Sequence, residues 1–218
     1  AGIPASDGQT VRVSRAMGYV NEAFDTNSLA KLPGRMAVGH VRYSTAGESR
    51  LANAQPILVD SVHGQLAVAH NGNIVNASEL RDPLVRLGAI FQATTDTEVI
   101  VHLFARSREE GAEAAIIDAL SQVRGAYSLV MMTKDRLIGA RDPHGFRPLA
   151  IGRLGDAWVI CSETCAMDLI GATYFRDVEP GEVVVISESG LKSIRPFTPA
   201  PRAQCIFEHV YFSRPDSY

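Results

Sequence analysis

The sequence has few cysteines, a single tryptophan and no excess of charge of either sign. Its three cysteines, Cys161, Cys165 and Cys205, are too few and odd in number for a disulfide framework, so a reducing, cytoplasmic compartment is the expectation. A net charge of −3 in 218 residues gives no basic surface for nucleic acid. No apolar run approaches the roughly 18–20 residues of a membrane span. The composition therefore favours a globular protein that binds neither nucleic acid nor membrane.

The order of the sequence patterns predicts an α+β domain. Strand-like runs dominate the first 75 residues, and Asn71-Gly72 predicts a hairpin turn, because both central positions of a type I′ turn need positive φ. From Gly125 short strand-like runs return, and 205–212 reads as a further strand. Between these regions apolar residues repeat at helical spacing, predicting helices at 76–87, from near Asp96, and at 111–123. Hairpins, then helices, then hairpins indicate antiparallel sheets with helices on their outer faces.

The first predicted helix has recognisable boundary signals. Asn76 suits the N-cap, and Glu79 stands at the capping-box position three residues later. Gly88 suits the C-terminal end. Pro83 opposes this prediction, since an interior proline costs about 3 kcal/mol.

Two segments carry groups that suit an amino-acid ligand. Arg42 lies in GHVRYSTAG, in a predicted strand, and its guanidinium fork matches a carboxylate. A surface arginine, or one paired with a structural carboxylate, is the alternative. Asp96 lies in TTDTE and either caps a helix or accepts the ligand's α-ammonium group.

The segment AHNGNIVNA offers a pair of donors for a developing oxyanion. The side-chain amide of Asn71 and the backbone N–H of Gly72 would both point at one oxygen, and removal of one such donor typically lowers turnover about 10²–10³-fold. A plain hairpin turn is the alternative for this dipeptide.

Other candidate groups have simpler interpretations. His40 and His70 lie in strand-like segments without partners at metal-binding spacing, so packed, hydrogen-bonded histidines are expected. Cys161 and Cys165 are expected to be buried thiols. The segment 140–149 (ARDPHGFRPL) predicts a loop between strands, with arginines that would suit an interface.

Taken together and in this order, the motifs resemble the glutaminase domain of the amidophosphoribosyltransferase family. The resemblance covers essentially the whole chain. Several elements, such as HNGN, are shared by other class II glutamine amidotransferases, whereas CIFEHVYFSRPDS near the C-terminal end is more specific. The motifs that carry the resemblance are GHVRYSTAG, AQP, AHNGNIVNA, TTDTE, RGAYS, RDPHGFRPL, SETC, VEPGE and YFSRPDS.

The resemblance implies an N-terminal-nucleophile hydrolase fold, a four-layer αββα sandwich of antiparallel sheets, here incomplete because the first strand and helix are absent. It implies that Arg42 holds the α-carboxylate of L-glutamine and Asp96 its ammonium group. Asn71 and Gly72 would form the oxyanion hole and Thr45 would line the pocket. The family's attacking group is an N-terminal cysteine, and its α-amine acts as the base.

The sequence departs from the family pattern in two respects. Residue 1 is alanine, and AGIPASDG resembles the family's second strand, so we expect the nucleophile to be absent and a cysteine at position 1 not to restore activity. We also expect the phosphoribosyltransferase domain to be absent, with a glutaminase domain at 1–203 and the start of a connection at 204–218. We therefore expect the chain by itself to be inactive.

The resemblance also implies partners and cofactors for the complete protein. They are phosphoribosyl pyrophosphate with Mg²⁺ and, in some members, a [4Fe–4S] cluster with Cys205 as one ligand. A cluster needs four thiolates, so a free thiol is expected at Cys205 in this chain and no cofactor in the chain alone. A homo-oligomer is expected for the complete protein. The alternatives are a non-catalytic glutamine-binding or regulatory module, or another class II amidotransferase.

Overall fold

The computed structural model describes residues 1–42, 49–198, 200–203 and 205–217. The strands are β1 (Gly2–Ser6), β2 (Val11–Arg15), β3 (Met36–Ala37), β4 (Ile57–Ser61), β5 (Gly64–Ile74), β6 (Gly125–Met132), β7 (Leu137–Arg141), β8 (Ala150–Leu154), β9 (Ala157–Cys161), β10 (Thr173–Asp177), β11 (Val183–Ser187) and β12 (Gly190–Ile194). The helices are α1 (Val20–Ala23), α2 (Thr26–Ala30), α3 (Ala77–Arg86), α4 (Glu98–Arg106), α5 (Ala112–Ser121) and α6 (Cys165–Ile170), with a 3₁₀ turn at Leu51–Asn53 and a π-helical turn at Glu208–Phe212.

The strands form antiparallel sheets, as predicted. Their orders are β2-β1-β3, β10-β8-β9 and β12-β11-β7-β6-β5-β4. The chain divides into a first unit (Ala1–His70, Ile74–Arg124 and Met131–Leu137) and a second unit (Asn71–Asn73, Gly125–Val130 and Ile138–Tyr218). The predicted boundary between 203 and 204 does not coincide with this division, and its domain assignment stays a prediction.

The first unit combines two hairpins with three longer helices. β1 pairs with β2 from Gly2↔Arg15 to Ser6↔Val11, and β4 pairs with β5 from Ile57↔Val68 to Ser61↔Gly64. Helix α4 buries most of its length, including Val99, Ile100 and Phe104. Burial of a side chain of this size stabilises the fold by about 1.5–3 kcal/mol, so α4 is firmly packed and fixes the position of Asp96 just before it.

The second unit is built from short hairpins around an aliphatic core. β8 pairs with both β9 and β10, and β11 pairs with β12. The core consists of Leu149, Ile151, Val178 and Val184, with Val130, Trp158, Ile160 and Leu191 packed against it. The loop at 142–149, which carries all of the RDPHGFRPL motif except its first residue, connects β7 to β8.

Helix α3 starts and ends where predicted, but its cap differs. Asn76 is the N-cap residue, yet its side chain makes no capping bond. Its amide donates to the carbonyl of Gln122 and accepts from the N–H of Arg124. Glu79 pairs with Arg124 instead of closing a capping box. The segment after α5 thus binds the side chains of Asn76 and Glu79, which the local pattern assigns to the N-terminal cap of α3.

The strand predicted at 205–212 is wrong, because Glu208–Phe212 is a π-helical turn. Ile206, Phe207, Val210 and Tyr211 are more than 60% exposed. High β-propensity reflects fit to a half-buried pleated surface, and these exposed side chains have no such surface among the described residues.

Candidate functional site

Strand β5 carries the predicted oxyanion-hole residues inside a continuous strand. The strand runs unbroken from Gly64 to Ile74. Every described residue with positive φ is a glycine, so Asn71 lacks the positive φ that a type I′ turn requires. The hairpin predicted at Asn71-Gly72 is therefore wrong. Gly72 has φ of 150°, which residues with a side chain rarely adopt, and this explains why glycine is needed within the strand.

In the second unit, Asn71 is held by an arginine from the RDPHGFRPL loop. The Nε and Nη2 atoms of Arg147 donate to the Asn71 side-chain oxygen at 3.2 and 2.6 Å. The third nitrogen, Nη1, donates to Glu208. The sequence pattern suits Arg147 to an interface and does not indicate this contact, because the contact joins residues 76 positions apart.

The loop that presents Arg147 is organised by two buried charged residues. Asp142 is fully buried, and its carboxylate accepts four backbone N–H bonds at 2.9–3.2 Å, from Tyr127, His144, Gly145 and Phe146. Arg141 donates to the carbonyls of Arg147, Gly145 and Val178 at 2.8–3.0 Å. Such charge-assisted bonds are roughly twice as strong as neutral ones, so the backbone at Arg147 is firmly placed.

In the first unit, Asp96 lies just before α4 and is not its N-cap, which is Thr97. Oδ2 of Asp96 accepts from the N–H of Ile74 at 2.8 Å, and Oδ1 lies 3.8 Å from Nδ1 of His70. The side chain is 17% exposed. A carboxylate has about four acceptor positions, so the bond from Ile74 leaves capacity for an ammonium group.

A polar network behind Asp96 fixes its surroundings. Nε2 of Gln55 donates to the Thr97 hydroxyl at 3.1 Å, and the same hydroxyl lies 3.0 Å from Nδ1 of His70. The side-chain oxygen of Gln55 accepts from the backbone N–H of His70 at 2.7 Å. His70 is thus buried and hydrogen-bonded, as predicted. Gln55, from the AQP motif, and Thr97 are supporting residues that the local pattern did not identify.

Arg42 is half-buried and lies outside regular strand structure, so the strand predicted around it is shorter than expected. It comprises Met36–Ala37, with one further bridge between Gly2 and His40. Exposure alternates along residues 36–42, as in a strand with one buried face: Val38 is buried while Val41 is 69% exposed. Thr45 lies outside the described residues, and its assignment stays a prediction.

His40 and the cysteines have environments that set their ionisation. Burial, with repulsion from His70, lowers the pKa of His40 to about 4, so it is neutral at pH 7. Burial raises the pKa of the Cys161 thiol to about 11. Cys165 is buried, as expected, whereas Cys161 and Cys205 are only half-buried, and all three are free thiols.

Two cavities lie away from the predicted glutamine-binding residues. The larger, about 980 Å³, is in the first unit and is lined by residues such as Gln9, His63 and Arg136. The other, about 410 Å³, is in the second unit and is lined by residues such as Arg202, Cys205 and Glu208. Neither of these two cavities is lined by Arg42, Asn71, Gly72 or Asp96.

No helix in the described part of the chain combines the length and apolar character needed to cross a membrane. Groups of three or more His, Cys, Asp or Glu side chains arranged to hold a metal ion are also absent from the residues described.

Comparison with solved structures shows the fold of the chain. A glutamine phosphoribosylpyrophosphate (PRPP) amidotransferase from B. subtilis, complexed with ADP and GMP, superposes with a TM-score of 0.94 at 46% identity, over 100% of this chain and 47% of that one. A second structure, described as the allosteric regulatory enzyme of purine biosynthesis, gives 0.95 at 47% identity over the same shares. The predicted N-terminal-nucleophile hydrolase fold is thereby confirmed.

Sequence comparisons agree with the structural ones. The amidophosphoribosyltransferase of Bacillus subtilis (strain 168) is 48% identical over 218 residues, which are 100% of this chain and 46% of the relative. The chain thus spans about half the length of this curated relative. A profile of the glutamine amidotransferase domain matches residues 40–168, a range that includes Arg42, Asn71, Gly72 and Asp96. This match covers more than half of the chain, and the chain therefore belongs to the glutamine amidotransferase domain family.

Proposed function

We propose that this chain is the glutamine-hydrolysing part of an amidophosphoribosyltransferase. Such an enzyme transfers the amide nitrogen of L-glutamine to phosphoribosyl pyrophosphate and forms 5-phosphoribosylamine for purine synthesis. The relatives that match the whole chain at 46–48% identity carry this name. The single structural observation that carries the proposal is the fixed Asn71 amide, followed by a glycine of unusual φ within strand β5.

Each proposed binding role follows from the chemistry of one side chain. The Arg42 guanidinium would pair with the glutamine α-carboxylate in two parallel hydrogen bonds. Asp96 would accept the α-ammonium group with the acceptor capacity that Ile74 leaves. Thr45 would line the same pocket. These contacts hold the α-carboxylate and the α-ammonium group of glutamine and leave its side-chain amide free to react.

The proposed catalytic contribution of Asn71 and Gly72 is electrostatic. In the complete enzyme, the thiolate of the family's N-terminal cysteine would attack the glutamine amide carbon, and the carbonyl electron pair would move to oxygen and create an oxyanion. The Asn71 amide N–H and the Gly72 backbone N–H would stabilise that charge. None of Cys161, Cys165 and Cys205 is assigned the attacking role.

Cofactors enter this proposal only through the complete enzyme. Mg²⁺ would accompany phosphoribosyl pyrophosphate outside these residues. The described residues contain no group of three potential metal ligands, so they do not by themselves fit a four-thiolate cluster. We retain Cys205 as one proposed iron–sulfur ligand, to be completed by thiolates from elsewhere. A cytoplasmic homo-oligomer is the proposed form of the complete protein.

The proposal is tested by the kinetics of the full-length protein that contains this chain. Arg42→Lys replaces a two-pronged contact with a single ammonium, and loss of a charge-assisted bond of about 1.5–3 kcal/mol predicts a glutamine KM about 10–150-fold higher. Turnover with ammonia should not change. Arg86→Lys, at an exposed position of α3, is the matched control and should behave as wild type.

Two results would contradict the proposal. An equal fall of ammonia-dependent and glutamine-dependent turnover in Arg42→Lys would assign Arg42 a structural role. A full-length protein that releases no 5-phosphoribosylamine from either nitrogen source would refute the proposed activity.

A further inference from the structure

We propose that Arg147 is a positioning residue that fixes the orientation of the Asn71 amide and is itself held by Glu208. This inference rests on the proposed function, because it concerns how the oxyanion hole is set before the substrate arrives. All three residues belong to the second unit, and their contacts lie within it.

The contact between Arg147 and Asn71 determines which way the amide points. A guanidinium group has five N–H donors and no acceptor, so it can only face the oxygen of a carboxamide. Two of its nitrogens, Nε and Nη2, donate to the Asn71 oxygen at 3.2 and 2.6 Å. The amide nitrogen of Asn71 is therefore on the opposite side, where it can donate.

Orientation matters because the two ends of a carboxamide have opposite polarity. With the nitrogen directed at the reacting carbonyl, Asn71 stabilises a developing negative charge. After a flip, its oxygen would face that charge and repel it. A preorganised donor needs no reorganisation at the moment of reaction, and this is the main source of oxyanion stabilisation.

Arg147 is itself anchored at its backbone and at its side chain. Its carbonyl accepts from Nε of Arg141 at 2.8 Å and from the hydroxyl of Ser128 at 3.0 Å. Its guanidinium group lies 4.7 Å from the ring centre of Phe212, within cation–π range. The Arg147 side chain is 18% exposed. Few rotamers are open to a side chain held in this way.

Glu208 completes the arrangement from the π-helical turn at Glu208–Phe212. Its side chain is 9% exposed and accepts from Nη1 of Arg147, the nitrogen not used by Asn71. Removal of one partner from a buried pair leaves an uncompensated charge, so Glu208 and Arg147 hold each other in place. The segment that contains Glu208 is thereby connected to the proposed oxyanion hole through one side chain.

The first test measures turnover by the full-length protein carrying Arg147→Lys, with glutamine and separately with ammonia. A lysine presents a compact ammonium and cannot form the two-pronged contact. We expect kcat with glutamine to fall about 10²-fold, as for loss of one oxyanion donor, with the glutamine KM changed less than about threefold. Ammonia-dependent turnover should stay at the wild-type level.

Three further variants make the result specific. Arg153→Lys is the matched control, since Arg153 contacts the ring of Trp158 at 4.3 Å in the same unit, and it should retain full turnover. Asn71→Ala should lose about as much kcat as Arg147→Lys, and the double variant should lose little more, because both changes remove the same donor. Glu208→Gln keeps an acceptor oxygen and should have a smaller effect in the same direction.

The outcomes separate the inference from the function on which it rests. Normal glutamine turnover in Arg147→Lys, together with a loss in Asn71→Ala, would refute only the positioning role. Full glutamine turnover in Asn71→Ala would refute the oxyanion-hole assignment itself. A parallel loss of ammonia-dependent turnover in Arg147→Lys would show that Arg147 supports the fold and would overturn the inference.

A measurement on this chain gives an independent readout that does not depend on turnover. NMR relaxation of the Asn71 side-chain amide should give an order parameter near that of rigid backbone, about 0.85, in the wild type. In Arg147→Lys it should fall below about 0.6. An equally rigid amide in both proteins would contradict the positioning role.

Discussion

The loop that carries Arg147 depends on one buried carboxylate, and replacing Asp142 by asparagine tests that dependence. Asp142 is fully buried and is the common acceptor of four backbone N–H groups. One carboxylate oxygen serves His144 and Gly145, and the other serves Tyr127 and Phe146. The asparagine side chain would keep one oxygen and present an NH₂ group in place of the other, so two N–H donors would lose their acceptor.

The expected cost follows from the number of bonds lost. A hydrogen bond to a charged group contributes about 1.5–3 kcal/mol, so two of them predict a loss of about 3–6 kcal/mol for Asp142→Asn. This is a large part of the roughly 5–15 kcal/mol by which domains are stable. Asp142→Ala would remove all four bonds and should be more damaging still.

Urea unfolding monitored by tryptophan fluorescence measures the stability lost in Asp142→Asn, because the reporter lies in the second unit together with Asp142. The chain has one tryptophan, Trp158, which packs against the core of the second unit. Asp156→Asn is the matched control, because Asp156 lies in an exposed turn of the same unit and its replacement should change stability by less than about 0.5 kcal/mol. A loss below about 1 kcal/mol in Asp142→Asn would refute the proposed role of the carboxylate.

Three other predictions follow from the environments of single residues. Because burial lowers the pKa of His40 to about 4 while an unfolded histidine titrates near 6.5, stability should fall by up to about 3 kcal/mol between pH 6.5 and 4. His40→Gln should remove this pH dependence of the free energy of unfolding, as measured by urea titration. The same pH dependence in His40→Gln as in the wild type would contradict the assignment to His40. Burial alone would raise the pKa of Glu182, but hydrogen bonds from Arg176, Ser193 and the N–H of Glu179 outweigh burial and lower the pKa. The contribution of the Glu182 carboxylate to folding stability is therefore complete above pH 4.5 and is lost as the pH falls below that value. Glu182→Gln should therefore cost about 3 kcal/mol at pH 7 and less at pH 3, whereas an equal cost at both would exclude the charge as the cause. Asp96→Asn in the full-length protein should raise the glutamine KM about tenfold or more without altering ammonia-dependent turnover, and an unchanged KM would remove Asp96 from the site.

Much of the fold is predictable because its signals are local. Helices α4 and α5 follow from apolar residues at helical spacing, and the strands after Gly125 follow from alternating runs bounded by turn residues. The turn at Gly181 needs a φ of 73°, which its Pro-Gly dipeptide indicates. In these segments, local preference and tertiary structure agree.

The failures occur where a distant part of the chain overrides a local signal. Asn71-Gly72 has the strongest short-range hairpin chemistry, yet strand β5 continues through it. Asn76 has the side chain of a helix cap, yet its groups are used by Gln122 and Arg124. Spacing within a single segment contains no information on such partners.

In the candidate site, too, the residue types are predictable from the sequence, whereas their distant partners are not. The sequence predicts Asn71, Gly72 and Asp96 as site residues because their residue types suit a glutamine ligand. Their supporting partners come from elsewhere in the sequence, as Arg147 does for Asn71. A single sequence shows which groups have the right chemistry but not which distant side chain orients them.

A crystal structure of this chain with bound L-glutamine would test the proposed glutamine site directly. We expect the α-carboxylate at the Arg42 guanidinium, the α-ammonium at Asp96, and the side-chain carbonyl within hydrogen-bond distance of the Asn71 amide nitrogen and the Gly72 N–H. Glutamine bound elsewhere, or with its amide carbonyl away from Asn71 and Gly72, would contradict the assignment of this site.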